Sequence, residues 1–198
     1  MPIPAARTDY PEIRDAVRAL VRGFGDAYFR EKDEAREYPE EFVEALTKEG
    51  WMAALIPEEF GGAGLGLTEA SIIMEEINRA GGNSGACHGQ MYNMNTLLRH
   101  GSDKQKAQYL PQIASGALRL QSMAVTEPTT GTNTTDLKTR ATRHGDTYVV
   151  EGQKVWISRI QHSDLMILLA RTTPRDDVQR KSDGLSIFLV DLHAAIGN

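Results

Sequence analysis

The stretch Met123-Ala-Val-Thr-Glu-Pro-Thr-Thr-Gly-Thr-Asn133 lies just after a change in the periodicity of the apolar residues. Upstream of Leu118, apolar residues recur every three or four positions, which is typical of amphipathic helices. Downstream of Leu118, short apolar runs alternate with turn residues, which predicts strands. Helices in the first part and strands in the second indicate an α+β chain with a boundary near residue 118.

Residues 1–118 are predicted to form an all-helical domain. The apolar pattern predicts a first helix over residues 9–30 with Asp9 as its cap, and further helices around 42–49, 70–80 and 86–100. Ser102 and Gln105 form a capping box for a fifth helix, which Pro111 is expected to interrupt.

Residues 119–198 are predicted to form a β-domain. The turn sequence His144-Gly-Asp-Thr147 favours antiparallel hairpins, and no crossover helix of the kind that parallel strands need is visible. We therefore expect an incomplete antiparallel β-barrel-like domain. The predicted strands are Leu120–Thr126, Leu137–Arg143, Thr147–Ser158, Asp164–Thr172 and Leu185–Asp191.

Composition excludes several classes of partner. The formal net charge of -5 lacks the basic excess that binding to nucleic-acid phosphates demands. Cys87 is the single cysteine, so no intramolecular disulfide can form, and the first residues lack the apolar core of a secretory signal. No apolar run approaches the roughly 20 residues that span a bilayer. We expect a cytoplasmic protein.

The sequence does not match several familiar catalytic or ligand-binding motifs. The glycine-rich segment 61–66 fits neither a dinucleotide fingerprint nor a P-loop, which favours a hinge. Gly82-Asn-Ser-Gly-Ala86 has alanine where a nucleophile elbow needs glycine. The five histidines show no metal-ligand spacing, so no metal site is predicted.

Two stretches suggest chemistry. In residues 123–133 a strand ends at Glu127-Pro128 and a loop rich in hydroxyl groups follows, which offers donors to an anionic or carbonyl-rich ligand. In Lys154-Val-Trp-Ile-Ser158, the indole of Trp156 could cover a planar ring, with Ser158 on the same side of a strand. These residues suggest a flat, phosphorylated cofactor. A buried core tryptophan beside a polar turn is the alternative.

Both stretches resemble the acyl-CoA dehydrogenase family. The same order of motifs continues with residues 145–154, with Ala170-Arg-Thr172 and with Gly184-Leu-Ser-Ile-Phe-Leu-Val190. Upstream, Ile56-Pro-Glu-Glu-Phe-Gly-Gly62 and the segments 101–106 and 109–116 resemble the family's N-terminal helical domain.

The resemblance implies an FAD enzyme that oxidises acyl-CoA thioesters to trans-2-enoyl-CoA by removing an α-proton and passing a β-hydride to flavin N5. It implies that Val125 and Thr126 bind the pyrimidine edge of the flavin and that Gly131 and Thr132 approach the pyrophosphate and the pantetheine arm of the substrate. Trp156, Ile157 and Ser158 would cover the isoalloxazine. The implied FAD-binding residues are therefore Met123, Val125, Thr126, Gly131, Thr132, Trp156, Ile157 and Ser158, and Thr132 also binds substrate.

The chain departs from the family pattern at two places. Thr130-Gly-Thr-Asn133 replaces the usual Ala-Gly-Ser-Asp, which removes a carboxylate and adds two methyl groups. Ser158-Arg159 replaces the usual Thr-Asn, which keeps a hydroxyl group and adds a cation beside the ring. Arg159 could tune the flavin's potential or contact phosphate. The length of the acyl chain is not readable from the segment 86–98, with its flexible Met91 and Met94.

The family's C-terminal helical bundle, which carries the catalytic glutamate, is absent from the 198 residues, so the base is expected beyond Asn198 and no residue here is predicted to be catalytic. The chain alone is then expected to be inactive and to expose strand edges. The resemblance also implies electron-transfer flavoprotein as electron acceptor and a homo-oligomer, a tetramer, for the whole protein. Two alternatives remain: a non-catalytic flavin- or partner-binding fragment, and an acyl-CoA oxidase or flavin monooxygenase of the same fold.

Overall fold

The computed structural model describes residues 9–195. The chain divides into two compact units, one ending at Ala117 and the other beginning at Leu118. The first unit is helical and the second contains a β-sheet. Among residues 9–195, no helix combines the length and the apolar character that crossing a bilayer requires.

The helical unit contains six α-helices in its described part. The first five contribute apolar side chains to one core, which is built around the fully buried side chains of Val17, Phe42, Leu46, Ile73 and Ile77. The helices are α1 Pro11–Arg22, α2 Gly25–Ala35, α3 Glu40–Lys48, α4 Leu67–Arg79, α5 Gly85–His100 and α6 Asp103–Ser115.

The predicted first helix is wrong in two respects. The segment 9–30 is not one helix, because α1 ends at Arg22 and α2 begins at Gly25. Phe24, between them, packs edge-on against Phe42 with the ring centroids 5.3 Å apart. Asp9 is not the cap either: Tyr10 occupies that position without a side-chain hydrogen bond, and the Asp9 carboxylate accepts a hydrogen bond from Arg14 at 3.2 Å.

Helix α6 confirms its predicted start. The backbone N–H of Gln105 donates to the Ser102 hydroxyl at 3.3 Å, and the Ser102 N–H donates to the Gln105 side chain at 2.9 Å. The predicted interruption at Pro111 is wrong, because the helix runs through it to Ser115. Leu110 and Ile113, on either side of Pro111, are fully buried, so packing outweighs the cost of the missing donor.

The β-unit contains a mixed sheet that is not closed. Its strands are β1 Ser122–Ala124, β2 Arg140–His144, β3 Thr147–Glu151, β4 Leu165–Arg171 and β5 Leu185–Asp191, followed by a short helix α7 Leu192–Ala195. The central strand is β4, which pairs with β5 along its whole length and with β1 and the start of β2.

Two strand pairs are antiparallel as predicted, but two others, β1 with β4 and the start of β2 with β4, are parallel. β2 and β3 pair through the turn at Gly145, where φ is 62°, and β4 pairs with β5. β1, however, lies parallel to β4, with Ser122 opposite Met166. The excursion through β2 and β3 supplies the long connection that parallel pairing needs, so a crossover helix is unnecessary.

The predicted strand Thr147–Ser158 is too long, because β3 ends at Glu151. A Cβ placed at Gly152 would lie 2.3 Å from the Oγ1 of Thr139 and 2.6 Å from its Cα. The backbone therefore passes Thr139 at a distance that only glycine allows. Residues 153–157 then leave the sheet, which changes the geometry expected for Trp156 and Ser158.

Candidate functional site

The two chemistry-bearing stretches lie together in the β-unit. The backbone N–H of Val155 donates to the carbonyl oxygen of Thr126 at 2.9 Å. This bond joins the segment 154–158 to the chain just after β1. Val125 and Thr126 are half-buried there, and Met123 lies within β1 opposite Ile167.

Lys154 strengthens this junction from inside. Its ammonium donates to the carbonyl oxygen of Val125 and to the Oε1 of Glu127, each at 2.9 Å. The side chains of Lys154 and Glu127 are only 9% and 3% exposed, so the pair is screened from water. A buried pair of this kind holds two segments in one register. Removing either partner would leave the other charge buried without compensation.

Glu127 has further partners. Its carboxylate accepts hydrogen bonds from the backbone N–H groups of Lys138 at 2.6 Å and Thr139 at 2.9 Å. Burial by itself would raise the pKa of Glu127, but the donors on Thr139, Lys138 and Lys154 outweigh it and lower the pKa to about 2. Glu127 is therefore a structural anion at neutral pH and is unsuited to act as a base.

Trp156 is neither a core residue nor part of a strand. Its side chain is 89% exposed and its φ is 61°, in the left-handed region that non-glycine residues rarely adopt. The alternative of a buried core tryptophan is thus wrong, as is the expectation that Trp156 and Ser158 share one face of a strand. The indole is instead presented at the surface beside the junction.

Ile157 and Ser158 anchor the segment in different ways. Ile157 is half-buried and packs against a cluster that contains Ala124 and Leu168. The Ser122 hydroxyl donates to the carbonyl oxygen of Ser158 at 2.9 Å and lies 2.9 Å from the hydroxyl of Ser163. The Ser158 side chain is itself exposed, and no partner for its hydroxyl lies among residues 9–195.

The loop after β1 begins with a tight turn. Glu127 and Thr130 exchange backbone hydrogen bonds of 2.9 and 3.1 Å, which places Pro128 and Thr129 at the tip. Gly131 and Thr132 follow and are exposed. A Cβ at Gly131 would meet no atom within 4 Å, so the described part of the chain does not itself require glycine there.

Asn133, which replaces the family's aspartate, orders the rest of this loop. Its amide nitrogen donates to the carboxylate of Asp136, and its amide oxygen accepts a hydrogen bond from the hydroxyl of Thr135 at 2.7 Å. The side chain therefore bonds locally. Within the described structure, no hydrogen bond joins Gly131 or Thr132 to the segment 154–158.

Sequence reasoning missed the residues that hold the site together. These are the Lys154–Glu127 pair and the serines 122 and 163. Lys154 and Glu127 are 27 positions apart, and no local sequence pattern predicts a contact over that distance. Two opposite charges at the ends of apolar runs were the only signal that could have indicated it.

A cleft of about 470 Å³ in the same unit lies elsewhere. None of the predicted flavin residues lines it. Arg171, one of its lining residues, is 8% exposed and donates to backbone carbonyl oxygens of Thr135 at 2.8 Å and Asp183 at 3.1 Å. Arg171 thus ties together the loops that surround β4. Among residues 9–195, no group of three histidine, cysteine or acidic side chains is arranged to hold a metal ion.

The segment 86–98 lies in helix α5 of the helical unit. Met91 and Met94 are 3% and 0% exposed and belong to its interior. Cys87, one turn before Met91, is fully buried, and burial raises the pKa of its thiol to about 12. The thiol is therefore inert at neutral pH.

Comparison with known proteins identifies both units. Residues 8–117 match the acyl-CoA dehydrogenase N-terminal domain, and residues 122–197 match the acyl-CoA dehydrogenase middle domain. Acyl-CoA dehydrogenase FadE26 of Mycobacterium tuberculosis is 34% identical over 189 residues, which cover 91% of this chain and 42% of that protein. The (2S)-methylsuccinyl-CoA dehydrogenase of Cereibacter sphaeroides is 40% identical over 155 residues, which cover 77% of this chain and 27% of that protein.

A solved structure supports the same family assignment. A chain in the crystal structure of the ChsE4-ChsE5 complex from Mycobacterium tuberculosis superimposes with a TM-score of 0.76 at 31% identity, covering 96% of this chain and 48% of that one. The chain thus spans less than half the length of these relatives. With two domain matches that together cover most of its residues, the chain belongs to the acyl-CoA dehydrogenase family.

Proposed function

We propose that this chain is part of an FAD-dependent enzyme that converts acyl-CoA thioesters to trans-2-enoyl-CoA. FAD, when bound, supplies the acceptor for the β-hydride. The hydrogen bond between Val155 and Thr126 is the observation that supports this most, because it brings the two flavin motifs together at one surface.

The donor set of this surface fits a flavin. Trp156 offers an exposed indole, and planar aromatic rings stack on such a face. No partner for the hydroxyl groups of Thr126, Thr132 and Ser158 lies among residues 9–195, so these groups are available to a ligand. Gly131 leaves open space where the backbone can approach a phosphate.

Each residue has a proposed role. Val125 and Thr126 hydrogen-bond the pyrimidine edge of the flavin and stabilise the negative charge that develops there on reduction. Met123 and Ile157 support the ring from β1 and from the adjoining segment, while Trp156 covers it. Ser158 places its hydroxyl near N5. Gly131 and Thr132 approach the pyrophosphate, and Thr132 also contacts the pantetheine arm of the substrate.

The α-proton needs a base that neither buried glutamate of the described residues supplies. Glu127 is paired with Lys154, and Glu76 is paired with Arg14 at 2.7 Å and Arg18 at 2.9 Å. Burial alone would raise the pKa of Glu76, but its arginine partners lower it. A carboxylate whose pKa is held low is a poor proton acceptor. Because the family resemblance implies a catalytic glutamate in a C-terminal helical bundle, we propose that the base lies outside the 198 residues.

Partners follow from the same proposal. The Cereibacter relative is named for an acyl-CoA substrate, and the ChsE4-ChsE5 structure is of a complex of two proteins. We propose an acyl-CoA thioester as substrate, electron-transfer flavoprotein as electron acceptor, a homo-oligomer, a tetramer, for the whole protein, and action in the cytoplasm.

An anaerobic titration tests the reaction. The whole protein is loaded with FAD and mixed with straight-chain and branched acyl-CoA thioesters while the visible flavin spectrum is recorded. Loss of the oxidised flavin band on mixing supports the dehydrogenation, and the thioester that reduces the flavin fastest identifies the acyl class. Rapid reoxidation when oxygen is admitted after the titration would instead indicate an oxidase. A loaded protein whose spectrum no thioester changes would contradict the proposal and favour a flavin- or partner-binding role.

A further inference from the structure

Arg159 is a cation that the described residues leave unused. Its side chain is half-buried and its Nε is fully buried, yet no hydrogen-bond partner for Nε lies among residues 9–195. A buried donor without a partner is costly, and native proteins rarely keep one without a reason. By contrast, Arg171 and Arg175 each donate to backbone carbonyl oxygens.

The charge of Arg159 is also uncompensated. The nearest carboxylate that follows it in the chain is that of Asp164, which is engaged elsewhere. Asp164 accepts a hydrogen bond from the backbone N–H of Arg119 at 2.6 Å and lies 2.6 Å from the Nε2 of His193. No ion pair of Arg159 occurs within the described range. Its positive charge therefore remains available to a ligand at the adjoining surface.

The backbone holds Arg159 in an unusual conformation. Its φ is 58°, and Trp156, three residues earlier, has a φ of 61°. Hydroxyl groups fix this segment, because Ser163 donates to the carbonyl oxygen of Arg159 and Ser122 donates to that of Ser158, both at 2.9 Å. Rare backbone conformations of this kind persist only where the surrounding structure enforces them, and they are concentrated at ligand sites.

We propose that Arg159 contacts the flavin ring and stabilises its reduced, anionic form, which raises the reduction potential of the bound cofactor. This inference rests on the proposed function. It follows from the position of Arg159 directly after Ser158, whose hydroxyl lies near N5 in the proposed function. A fixed cation beside the ring favours the redox state that carries more negative charge.

The test is a redox titration. The midpoint potential of bound FAD and the dissociation constant of oxidised FAD are measured for the wild-type protein, Arg159→Gln, Arg159→Asn and Arg159→Lys. The asparagine variant guards against a folding defect, because asparagine tolerates the left-handed conformation. Arg143→Gln is the matched control, since Arg143 is exposed and donates to the carbonyl oxygen of Gly145 at 2.8 Å.

Both neutral variants are expected to bind reduced FAD at least tenfold less tightly relative to oxidised FAD, which lowers the midpoint potential by about 30 mV or more for a two-electron couple. Arg159→Lys should lower the midpoint potential less than the neutral variants do, and Arg143→Gln should leave it unchanged. An unchanged potential with equally weakened binding of both redox states would overturn the inference in favour of a phosphate contact. A wild-type protein that binds no FAD would overturn the proposed function as well, so the two failures are distinguishable.

Discussion

The ammonium of Lys154 lies 2.9 Å from the carboxylate of Glu127, and both side chains are almost completely buried. The pair joins the loop that follows β1 to the segment that presents Trp156. Its ammonium also holds the carbonyl oxygen of Val125 at 2.9 Å. The geometry of the proposed flavin surface therefore depends on one ion pair that does not itself touch the flavin in our proposal.

Replacing Lys154 should destabilise the β-unit. Lys154→Met strands the Glu127 carboxylate in a buried site, which costs about 3–5 kcal/mol when one partner of a buried pair is removed. Urea denaturation measures the loss. The matched control is Arg140→Met, because Arg140 and Glu151 form a pair that is 65% and 58% exposed, and breaking it should cost less than about 1 kcal/mol. Equal losses in the two variants would contradict the structural role of the buried pair.

Glu127 should make stability depend on acid pH. Its pKa is lowered from 4.5 to about 2 on folding, so the unfolded chain binds the proton more tightly than the folded one. The stabilisation is complete above the unfolded pKa and disappears as the pH falls through the folded pKa, between about 4.5 and 2. It amounts to something on the order of 3 kcal/mol. Denaturation curves from pH 6 to pH 2 for the wild type and Glu127→Gln should differ in slope there, and parallel curves would refute the assignment.

The buried ion cluster of the helical unit gives an independent prediction. Arg14 is 2% exposed and Glu76 is 1% exposed, and their atoms lie 2.7 Å apart. Arg14→Met should cost about 3–5 kcal/mol, because Glu76 loses a buried partner. Arg18→Met should cost less, since Arg18 is 29% exposed. Chemical denaturation followed by circular dichroism compares the two variants. A larger loss of stability in Arg18→Met than in Arg14→Met would show that the burial of the arginine does not determine its contribution to stability.

Two glycines of the β-unit should respond differently to alanine. At Gly152 a Cβ would collide with Thr139, so Gly152→Ala should destabilise by roughly 1–3 kcal/mol through overpacking. At Gly131 the Cβ meets nothing, so Gly131→Ala should leave stability nearly unchanged and weaken FAD binding if the backbone approaches the pyrophosphate. Thermal melting and FAD titration separate the effects. Undiminished FAD affinity in Gly131→Ala would argue against the phosphate contact.

The sequence predicted the features that depend on local chemistry. The capping box of Ser102 and Gln105 and the turn at Gly145 are both present, because each involves residues within a few positions of one another. Pro111 was predicted to break a helix that continues, since the burial of Leu110 and Ile113 is a tertiary effect that propensity does not contain.

The residues of the candidate site remain a prediction, and their geometry could not be predicted from the sequence. Resemblance identified the two stretches, yet the turn of the chain after Gly152 exposes Trp156 and gives it a left-handed backbone. That turn depends on Thr139 and on the Lys154–Glu127 pair, which are distant in sequence. Local patterns carry no information about such contacts, and the strand prediction therefore extended too far.

The most direct test of the flavin surface uses Trp156 as its own reporter. Trp51 is the other tryptophan of the 198 residues, so it and any tryptophan outside them are replaced by phenylalanine, and a flavin stacked on the exposed indole of Trp156 should then quench its fluorescence. We predict saturable quenching at one FAD per chain in the whole protein, and loss of FAD affinity in Trp156→Ala with little change in stability. FAD binding that leaves the Trp156 emission unchanged, or that survives Trp156→Ala undiminished, would contradict the account.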